Sequence, residues 1–329
     1  MIGIGTRIGR EWLTDANDLH FLKQIGVDSV DVDFGIFEGY IESGGVLRKD
    51  ALAAVVERLG AAGLRIERAN YLSRELNPVY LDGPGASKAI DSVRRAIECL
   101  GEFDVPIMGL QRFEASSVLG RSAGVHSWQA GRGGYRYLHI DLRGEFPPAA
   151  PPVGAPTREE LWERTIGLYL DLIPVAEGAG VKLAEHGNDP PLPSVGGVPQ
   201  IFCSFADFER LFAEAPSDSV GMTFCVGTRY ESGEDLFEGI RRFVGRGKVF
   251  HVHFRNVRGT VPVDRAYSEV APDDGDLNML EVVRELARAG YEGVIDYDHV
   301  MRLSGDGPEG RDYVTFCVGY MKGLLAAVQ

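Results

Sequence analysis

The sequence predicts an α/β fold, a single (β/α)8 or TIM barrel, on three observations. Strand-like and helix-like stretches alternate almost from end to end and make about eight units, the number that a closed barrel requires. Four strand-like stretches in the last third are apolar and end in polar residues, as buried parallel strands at an active edge do. The first strand leads into TRIG (6–9) rather than the Gly-rich phosphate turn of an open doubly wound sheet. We therefore expect one barrel domain over residues 1–329.

The first half of the chain contains four predicted strands and three predicted helices. The helices carry apolar residues at helical spacing, and glycines such as Gly26 and Gly60 mark where the first two end. In chain order the strands are residues 2–4, 28–34, 64–70 and 105–110, and the helices are 14–25, 47–59 and 86–100.

The second half repeats the alternation with longer and more apolar elements. A long helix precedes the first of four strands, each strand is followed by a helix, and the last helix closes the chain. The strands are residues 181–186, 220–225, 250–256 and 293–299, and the helices are 161–179, 205–213, 234–243, 277–289 and 313–328.

Between the two halves, residues 114–157 form a long segment without a regular pattern, too long for an ordinary barrel connection. We interpret it as an irregular insertion after the fourth strand. It contains Trp128, Arg132 and Tyr135 among glycines, a composition that fits a loop closing over a polar ligand. The same residue types mark subunit interfaces and surface excursions, so both interpretations stay open.

Composition excludes several classes of protein. A net charge of −14 disfavours nucleic acid or an anionic membrane as a partner. The N-terminus shows no basic leader or cleavage site, and no apolar stretch is long enough to cross a bilayer. The four cysteines have no disulfide pattern, which favours a reducing cytoplasm. We expect a small-molecule ligand and a homo-oligomer, a dimer or higher.

The four late strands end in side chains that bind transition metals, His186, Cys225, His253 and Asp298. Each of these residues taken alone is more often structural than a ligand. Their position at the same end of consecutive strands, where barrel active sites lie, favours a metal site. His251 lies on the same strand face as His253, and we expect it deeper, in the core or behind the ligands.

Further polar residues follow the strand ends and predict a binding site for a polar, anionic ligand. Arginine can bind a carboxylate with two parallel hydrogen bonds, so cations at this rim suit an acid substrate. The candidates near the four strand ends are Arg255, Asn256, Asn188, Arg229, His299 and Arg302.

The second half resembles the mannonate dehydratases. The resemblance rests on EHGNDPP (185–191), MTFCVG (222–227), VHFRNV (252–257) and DH (298–299), with weaker matches at DGDLNM (274–279) and GYMKGL (319–324). It covers the chain from about residue 181 onward, and the first half only in the order of its elements. In combination these motifs are specific.

The resemblance implies a xylose-isomerase-like barrel that removes water from D-mannonate to give 2-keto-3-deoxy-D-gluconate with a divalent metal, usually Mn²⁺. It implies metal ligation by His186, Cys225, His253 and Asp298, and acid–base roles for His299 and Tyr313. Arg255 is expected to help stabilise the enediolate. On softness alone, two imidazoles, a thiolate and a carboxylate also suit Zn²⁺, Fe²⁺ or Co²⁺. Where the family pattern continues into a second histidine, this chain has VMR (300–302).

Two alternatives remain at this stage. A sugar isomerase or epimerase on the same type of barrel would usually bind its metal with carboxylate-rich ligands, which these strand ends lack. A non-catalytic protein that binds a metal or a sugar acid would not need His299 and Arg255. Because His299 directly follows Asp298, both can face the site only if the chain turns at Asp298.

Overall fold

The computed structural model describes residues 1–110, 113–307 and 309–328 and contains a closed barrel of eight parallel strands. All strands, in chain order, are β1 (Gly3–Ile8), β2 (Ser29–Asp33), β3 (Arg65–Asn70), β4 (Ile107–Leu110), β5 (Val125–Ala130), β6 (Arg136–Asp141), β7 (Lys182–His186), β8 (Ser194–Val195), β9 (Val198–Pro199), β10 (Val220–Cys225), β11 (Val249–His253), β12 (Asn256–Arg258), β13 (Ala266–Val270) and β14 (Val294–Asp296). The barrel closes in the order β1-β14-β11-β10-β7-β4-β3-β2, which confirms the predicted fold.

Helices cover the outside of the barrel and lie largely where the sequence predicts them. They are α1 (Ala16–Ile25), α2 (Lys49–Ala61), α3 (Ser73–Tyr80), α4 (Ala86–Glu102), α5 (Ser116–Leu119), α6 (Arg158–Ala179), α7 (Phe205–Glu214), α8 (Val226–Glu231), α9 (Leu236–Val244), α10 (Val261–Asp264), α11 (Met279–Arg288) and α12 (Arg311–Ala326). The longest, α6, begins with a capping box between Thr157 and Glu160 and ends at Gly180, whose φ of +69° suits glycine.

The insertion is more regular than the sequence predicts. Within residues 114–157, β5 and β6 form an antiparallel hairpin, and β6 pairs with β13, which follows barrel strand β11 in the chain. With β12 they make a four-stranded sheet in the order β12-β13-β6-β5. The sequence does not reveal these strands, because β5 is exposed along almost its whole length and shows no apolar alternation, and β13, the outer partner of β6, lies more than a hundred residues away.

The described residues, 1–110, 113–307 and 309–328, include no helix with the length and apolar character that crossing a bilayer requires. The four cysteines are buried and unpaired by disulfides, as the sequence predicts. The hydrophobic core spans the strands and helices, and a buried polar cluster of Asp31, Arg68, His251 and Asp296 links the barrel strands. The polar side chains at the strand ends therefore stand on a packed support.

Candidate active site

Three of the four predicted ligands converge at the C-terminal ends of neighbouring barrel strands. Cys225 on β10 is in register with His253 on β11. On the other side of β10, Thr223 is in register with His186 on β7. One ligand atom from each of His186, Cys225 and His253 lies within 4.8 Å of the other two, a grouping that could hold a metal ion. Because parallel strands end at the same edge of the barrel, residues at the ends of separate strands come together in one site.

Each of the two histidines has one ring nitrogen engaged by a hydrogen bond. His186 donates from Nδ1 to the carbonyl of Gly187 at 2.6 Å, which places the lone pair of a neutral ring on Nε2. Burial, together with the charges of Arg68 and His186, lowers the pKa of His253 well below its usual value. Arg68 donates to Nε2 of His253 at 2.7 Å, and the buried Nδ1 has no hydrogen-bond partner among the described residues.

Cys225 completes a donor set of two imidazoles and one sulfur. Its Sγ accepts from the backbone N–H of Thr228 at 3.5 Å and from Nη2 of Arg255 at 3.4 Å. Burial raises the pKa of the thiol to about 11, against the opposing charge of Arg255. A bound cation would reverse this balance, because coordination deprotonates a thiol outright. Two imidazoles and one sulfur, with ligand atoms within 4.8 Å of one another, are a donor set that fits a divalent metal.

Asp298, the fourth predicted ligand, lies beside this group and does not belong to it. Strand β14 ends at Asp296, and Asp298 has φ +64°, so the chain turns there as the sequence predicts. Its Oδ1 lies 3.4 Å from Nδ1 of His253 and accepts from Arg7 at 3.3 Å. Burial raises the pKa of Asp298, but the charges of His299, Arg255 and Arg7 outweigh it and lower the pKa overall.

The turn brings His299 to a cavity of about 590 Å³ that opens above the three converging residues. Nδ1 of His299 lies 2.7 Å from Oε2 of Glu269, and Nε2 lies 3.5 Å from Oδ2 of Asp298. Burial alone would lower the pKa of His299, but the two carboxylates raise it to about 9. At neutral pH this imidazole is therefore protonated and can act as an acid.

Glu269 and Tyr267 belong to the site although the sequence gives little sign of them. Both lie on β13, outside the barrel, and both line the cavity. The hydroxyl of Tyr267 donates to Asp189 at 2.6 Å, and Glu269 contacts His299. A strand with alternating polar residues usually has a solvated face, so no local signal separates these side chains from surface groups.

Arg255 lies behind the cavity wall and does not reach the cavity, contrary to the catalytic contact that the sequence predicts. Its guanidinium is buried and donates to Glu269 and to Asp189, each at 2.7 Å, and to Thr228 at 2.9 Å. Through these hydrogen bonds Arg255 holds the carboxylates of Asp189 and Glu269 in place, while its buried Nε has no hydrogen-bond partner among the described residues. These contacts suit a positioning role.

Tyr313 is also placed away from the cavity. It lies in α12, in the outer helical layer, and its buried ring packs edge to face against Tyr297 with centroids 6.0 Å apart. Helix α12 packs against β1, α1 and α11, and Tyr313 does not line the cavity. The tyrosine that the cavity contains is Tyr267.

Two predicted binding asparagines are used to shape loops. The side chain of Asn256 donates to the carbonyls of Pro272 and Leu277 at 2.9 and 3.1 Å, and the side chain of Asn188 donates to the carbonyl of Ile201. Both are buried and neither lines the cavity. Short polar side chains after a strand satisfy backbone groups in this way as often as they bind ligands.

Of the predicted cations and aromatic residues, Trp128 lines the cavity and the others support its walls. Arg302 stacks on Trp128, with its guanidinium carbon 4.2 Å from the ring centroid. Arg229 is buried against Glu234 at 3.2 Å. The remaining two, Arg132 and Tyr135, bond to Asp273 and Asp274, each at 2.7 Å.

The first half of the barrel contributes cations that the sequence analysis missed. Arg7 on β1 and Arg68 on β3 line the cavity. Arg68 is buried and pairs with both carboxylate oxygens of Asp31 at 3.0 and 2.9 Å. Beneath it His251 bridges two buried carboxylates and does not line the cavity, in agreement with its predicted deeper position. Arg7 lies in the apolar strand GIGTRI (3–8), which is a signal in the sequence, whereas Arg68 lies in the polar strand RIERAN (65–70) and has none.

Comparison with known proteins matches the second half of the sequence to mannonate dehydratases. The family model described as D-mannonate dehydratase (UxuA) matches residues 156–329. Mannonate dehydratase 2 of Halalkalibacterium halodurans is 32% identical over 178 residues, covering 52% of this chain and 51% of that relative. The mannonate dehydratase of Streptococcus agalactiae serotype III is 34% identical over 176 residues, covering 52% and 50%. The chain thus spans about half the length of the curated relatives that it matches.

Solved structures share the fold over the whole chain. The mannonate dehydratase of Streptococcus suis serotype 2 superposes with a TM-score of 0.83 at 21% identity, covering 99% of this chain and 93% of that one. A D-tagatose 3-epimerase-like protein superposes with a TM-score of 0.65 at 16% identity, covering 99% and 98%. These likenesses establish a xylose-isomerase-like TIM barrel.

Proposed function

The chain belongs to the D-mannonate dehydratase family, and we propose from this that it removes water from a sugar acid in a metal-dependent reaction. The substrate that the family suggests is D-mannonate, and the product is 2-keto-3-deoxy-D-gluconate. The observation that carries the proposal is the convergence of His186, Cys225 and His253 within 4.8 Å, below a cavity lined by His299.

We propose that these three side chains, with Asp298 beside them, hold a divalent metal, Mn²⁺ first and Fe²⁺, Co²⁺ or Zn²⁺ as alternatives. The metal would supply Lewis-acid stabilisation of the charge that develops on the substrate when carbon two loses its proton. Support comes from the donor set itself, two imidazoles and one sulfur whose ligand atoms lie within 4.8 Å of one another, and from the lowered pKa of His253, which favours its neutral ring.

His299 is the proposed proton donor to the hydroxyl that leaves from carbon three. Its pKa of about 9 keeps it protonated at neutral pH, and a poor leaving group needs an acid. Glu269 engages Nδ1, which makes Nε2 the nitrogen that can reach a substrate. The sequence left open whether this histidine is the acid or the base, and the raised pKa favours the acid.

Arg7 is the proposed partner of the substrate carboxylate. Two arginines line the cavity, and 28% of the Arg7 side chain is exposed against 2% of Arg68. Arg68 is engaged with Asp31, Thr223 and His253. Arg7 pairs with Asp33 at 2.7 Å and with Asp298 at 3.3 Å, and it is the more exposed of the two. A local cation of this kind lets an acidic protein bind an anion.

The proposed activity is tested by incubating the protein with D-mannonate and Mn²⁺ and assaying for a 2-keto-3-deoxy acid. A panel of aldonic acids of different stereochemistry and length extends the assay. The matched control is His299→Asn, which keeps the three converging residues and should bind metal without turnover. The proposal fails if wild-type protein with bound metal converts no acid in the panel.

We also propose that the protein acts in the cytoplasm as a homo-oligomer, a dimer or higher. Four buried free cysteines support a reducing compartment, because such thiols persist there without pairing. Sedimentation of purified protein over a range of concentrations tests the oligomer, and a monomer at micromolar concentration would contradict it.

A further inference from the structure

One face of the small antiparallel sheet forms the outer wall of the cavity. Directly opposed residues on neighbouring strands share a sheet face. The register pairs Trp128 with Leu138, and Leu138 in turn with Glu269. A second row behind it pairs Ile140 with Tyr267. All five residues line the cavity. The wall therefore extends outward from β13 through β6 to β5.

Polarity changes along this wall within one strand spacing. On β13, Glu269 contacts His299, at the chemical end of the cavity. Leu138 and Ile140 lie one strand further out, and Trp128 lies two strands out. Neighbouring strands are about 4.8 Å apart, so the apolar part of the wall begins about 5 Å from Glu269.

The segment that pairs with the start of β6 adds further apolar side chains, since Arg302 forms an antiparallel bridge with Arg136. Val300 and Met301, which follow His299 in the chain, also line the cavity. Arg302 lies over the ring of Trp128, and this cation–π contact fixes the indole. Among the cavity-lining residues that the structure describes, the two arginines lie on barrel strands and not on this wall.

The length of a sugar acid places its far end against this apolar region. The reacting carbons must lie beside His299, at the base of the wall. Carbon six is four carbon–carbon bonds from carbon two, each about 1.5 Å, which is about one strand spacing in an extended chain. The terminal group therefore meets Leu138, Ile140 and Trp128.

We propose that this wall selects a sugar acid with an apolar terminus, a 6-deoxyaldonic acid, over the corresponding acid with a terminal hydroxyl. The inference rests on the proposed dehydration. A terminal methyl group gains from burial against these side chains. A terminal hydroxyl loses its water there, because Leu138 and Ile140 offer it no hydrogen bond.

Two polar groups near the apolar wall limit the preference for the 6-deoxy acid over the acid with a terminal hydroxyl. The indole N–H of Trp128 can donate one hydrogen bond to a terminal hydroxyl. The other group, His126, lies at the rim, and its Nε2 is hydrogen-bonded to the carbonyl of Ala123 at 3.0 Å. A hydrophobic pocket rejects an added hydroxyl by about a hundredfold at most, so we expect a preference of about tenfold to a hundredfold in kcat/KM.

The experiment compares D-mannonate with its 6-deoxy analogue on the metal-loaded protein. Wild type should favour the 6-deoxy acid by at least about tenfold in kcat/KM. Leu138→Asn, which adds a donor and an acceptor with the same number of side-chain heavy atoms, should reduce that ratio by about tenfold. Equal or better use of D-mannonate by wild type overturns the inference.

The control is Tyr137→Phe, on the other face of the same strand, where the hydroxyl bonds to Gln129 at 3.2 Å. It should leave the substrate ratio unchanged, and a change as large as that of Leu138→Asn overturns the inference. If Leu138→Asn does not fold, as judged by its melting transition, Ile140→Thr replaces it with the same expectation.

Failure of the proposed function is distinguishable from failure of this inference. If no acid is dehydrated, the proposed dehydratase activity is wrong, and calorimetry of the two acids on wild type decides the inference alone. Tighter binding of the 6-deoxy acid by at least about tenfold supports the apolar wall. Equal affinities, or tighter binding of D-mannonate, overturn it.

Discussion

The two walls of the cavity differ in chemistry. We expect the barrel wall to carry out the reaction and the sheet wall to select the substrate. The barrel wall has His186, His253 and His299 at or just after strand ends, with arginines beside them. The sheet wall is polar where it touches the barrel and apolar further out. Removing a group from the barrel wall should affect every substrate, whereas a change in the outer sheet wall should alter preference among substrates.

The origin of the two walls explains this division. The barrel wall consists of strand ends supported by a packed core, which fixes side chains within the small tolerances that catalysis requires. The sheet wall is assembled from an excursion after β4 and another after β11. Such excursions vary between relatives more readily than barrel strands do, so they can change selectivity without disturbing the chemistry.

The largest effect should follow from loss of a proposed metal ligand. His186→Ala, His253→Ala and Asp298→Ala should each lose most bound metal and activity and remain folded, because the core lies below the site. Cys225→Ser should bind metal more weakly, since a hydroxyl replaces a thiolate. Metal content is measured after purification without added metal.

Cys317→Ser is the matched control, because Cys317 is equally buried but lies in α12. It should retain full metal content. Full metal occupancy in both Cys225→Ser and His253→Ala would rule out the proposed site and remove the basis for assigning chemistry to the barrel wall.

The next effect concerns proton transfer. His299→Asn should bind metal and sugar acid normally and lose about two to four orders of magnitude in turnover, the scale for removing a general acid. Wild-type turnover should fall as the pH rises through about 9, because the acid form is present below that pKa and lost above it. Near wild-type turnover by His299→Asn would make His299 structural.

Glu269 joins the two walls, and its removal should have a smaller effect. Glu269→Gln should lower turnover by about tenfold to a hundredfold, below the full contribution of an acid. The alkaline limb of the pH profile should move to lower pH, because the lost carboxylate no longer raises the pKa of His299. A loss of turnover without this displacement would indicate a structural role only.

The smallest expected effect is a change in order of the outer sheet. Residues 126–137, around Trp128 and Tyr135, should become more protected from hydrogen exchange when a sugar acid binds, because the ligand packs against the face of β5 and β6. Unchanged protection there, with increased protection around His299, would favour the interpretation of this segment as an interface or surface excursion.

Much of the barrel wall could be predicted from the sequence. Apolar strands ending at His186, Cys225 and His253 follow from local pattern alone, and the turn at Asp298 follows from the need for two adjacent side chains to face one site. Residues beyond the strand ends were predicted less well. Asn256 and Arg229 have the composition of binding residues, and the structure uses them to hold loops and helices.

The sequence by itself determined the eightfold alternation and the polar strand ends, because both depend on neighbours along the chain. Only the tertiary structure decided which side chains reach the cavity, since that depends on strand pairing across long separations. Glu269 enters the site because β13 pairs with β6, and Arg255 leaves it because buried carboxylates take its donors. Tyr313 is excluded because α12 packs outside the barrel. Such contacts are set by the free energy of the whole fold and leave no local pattern in the sequence.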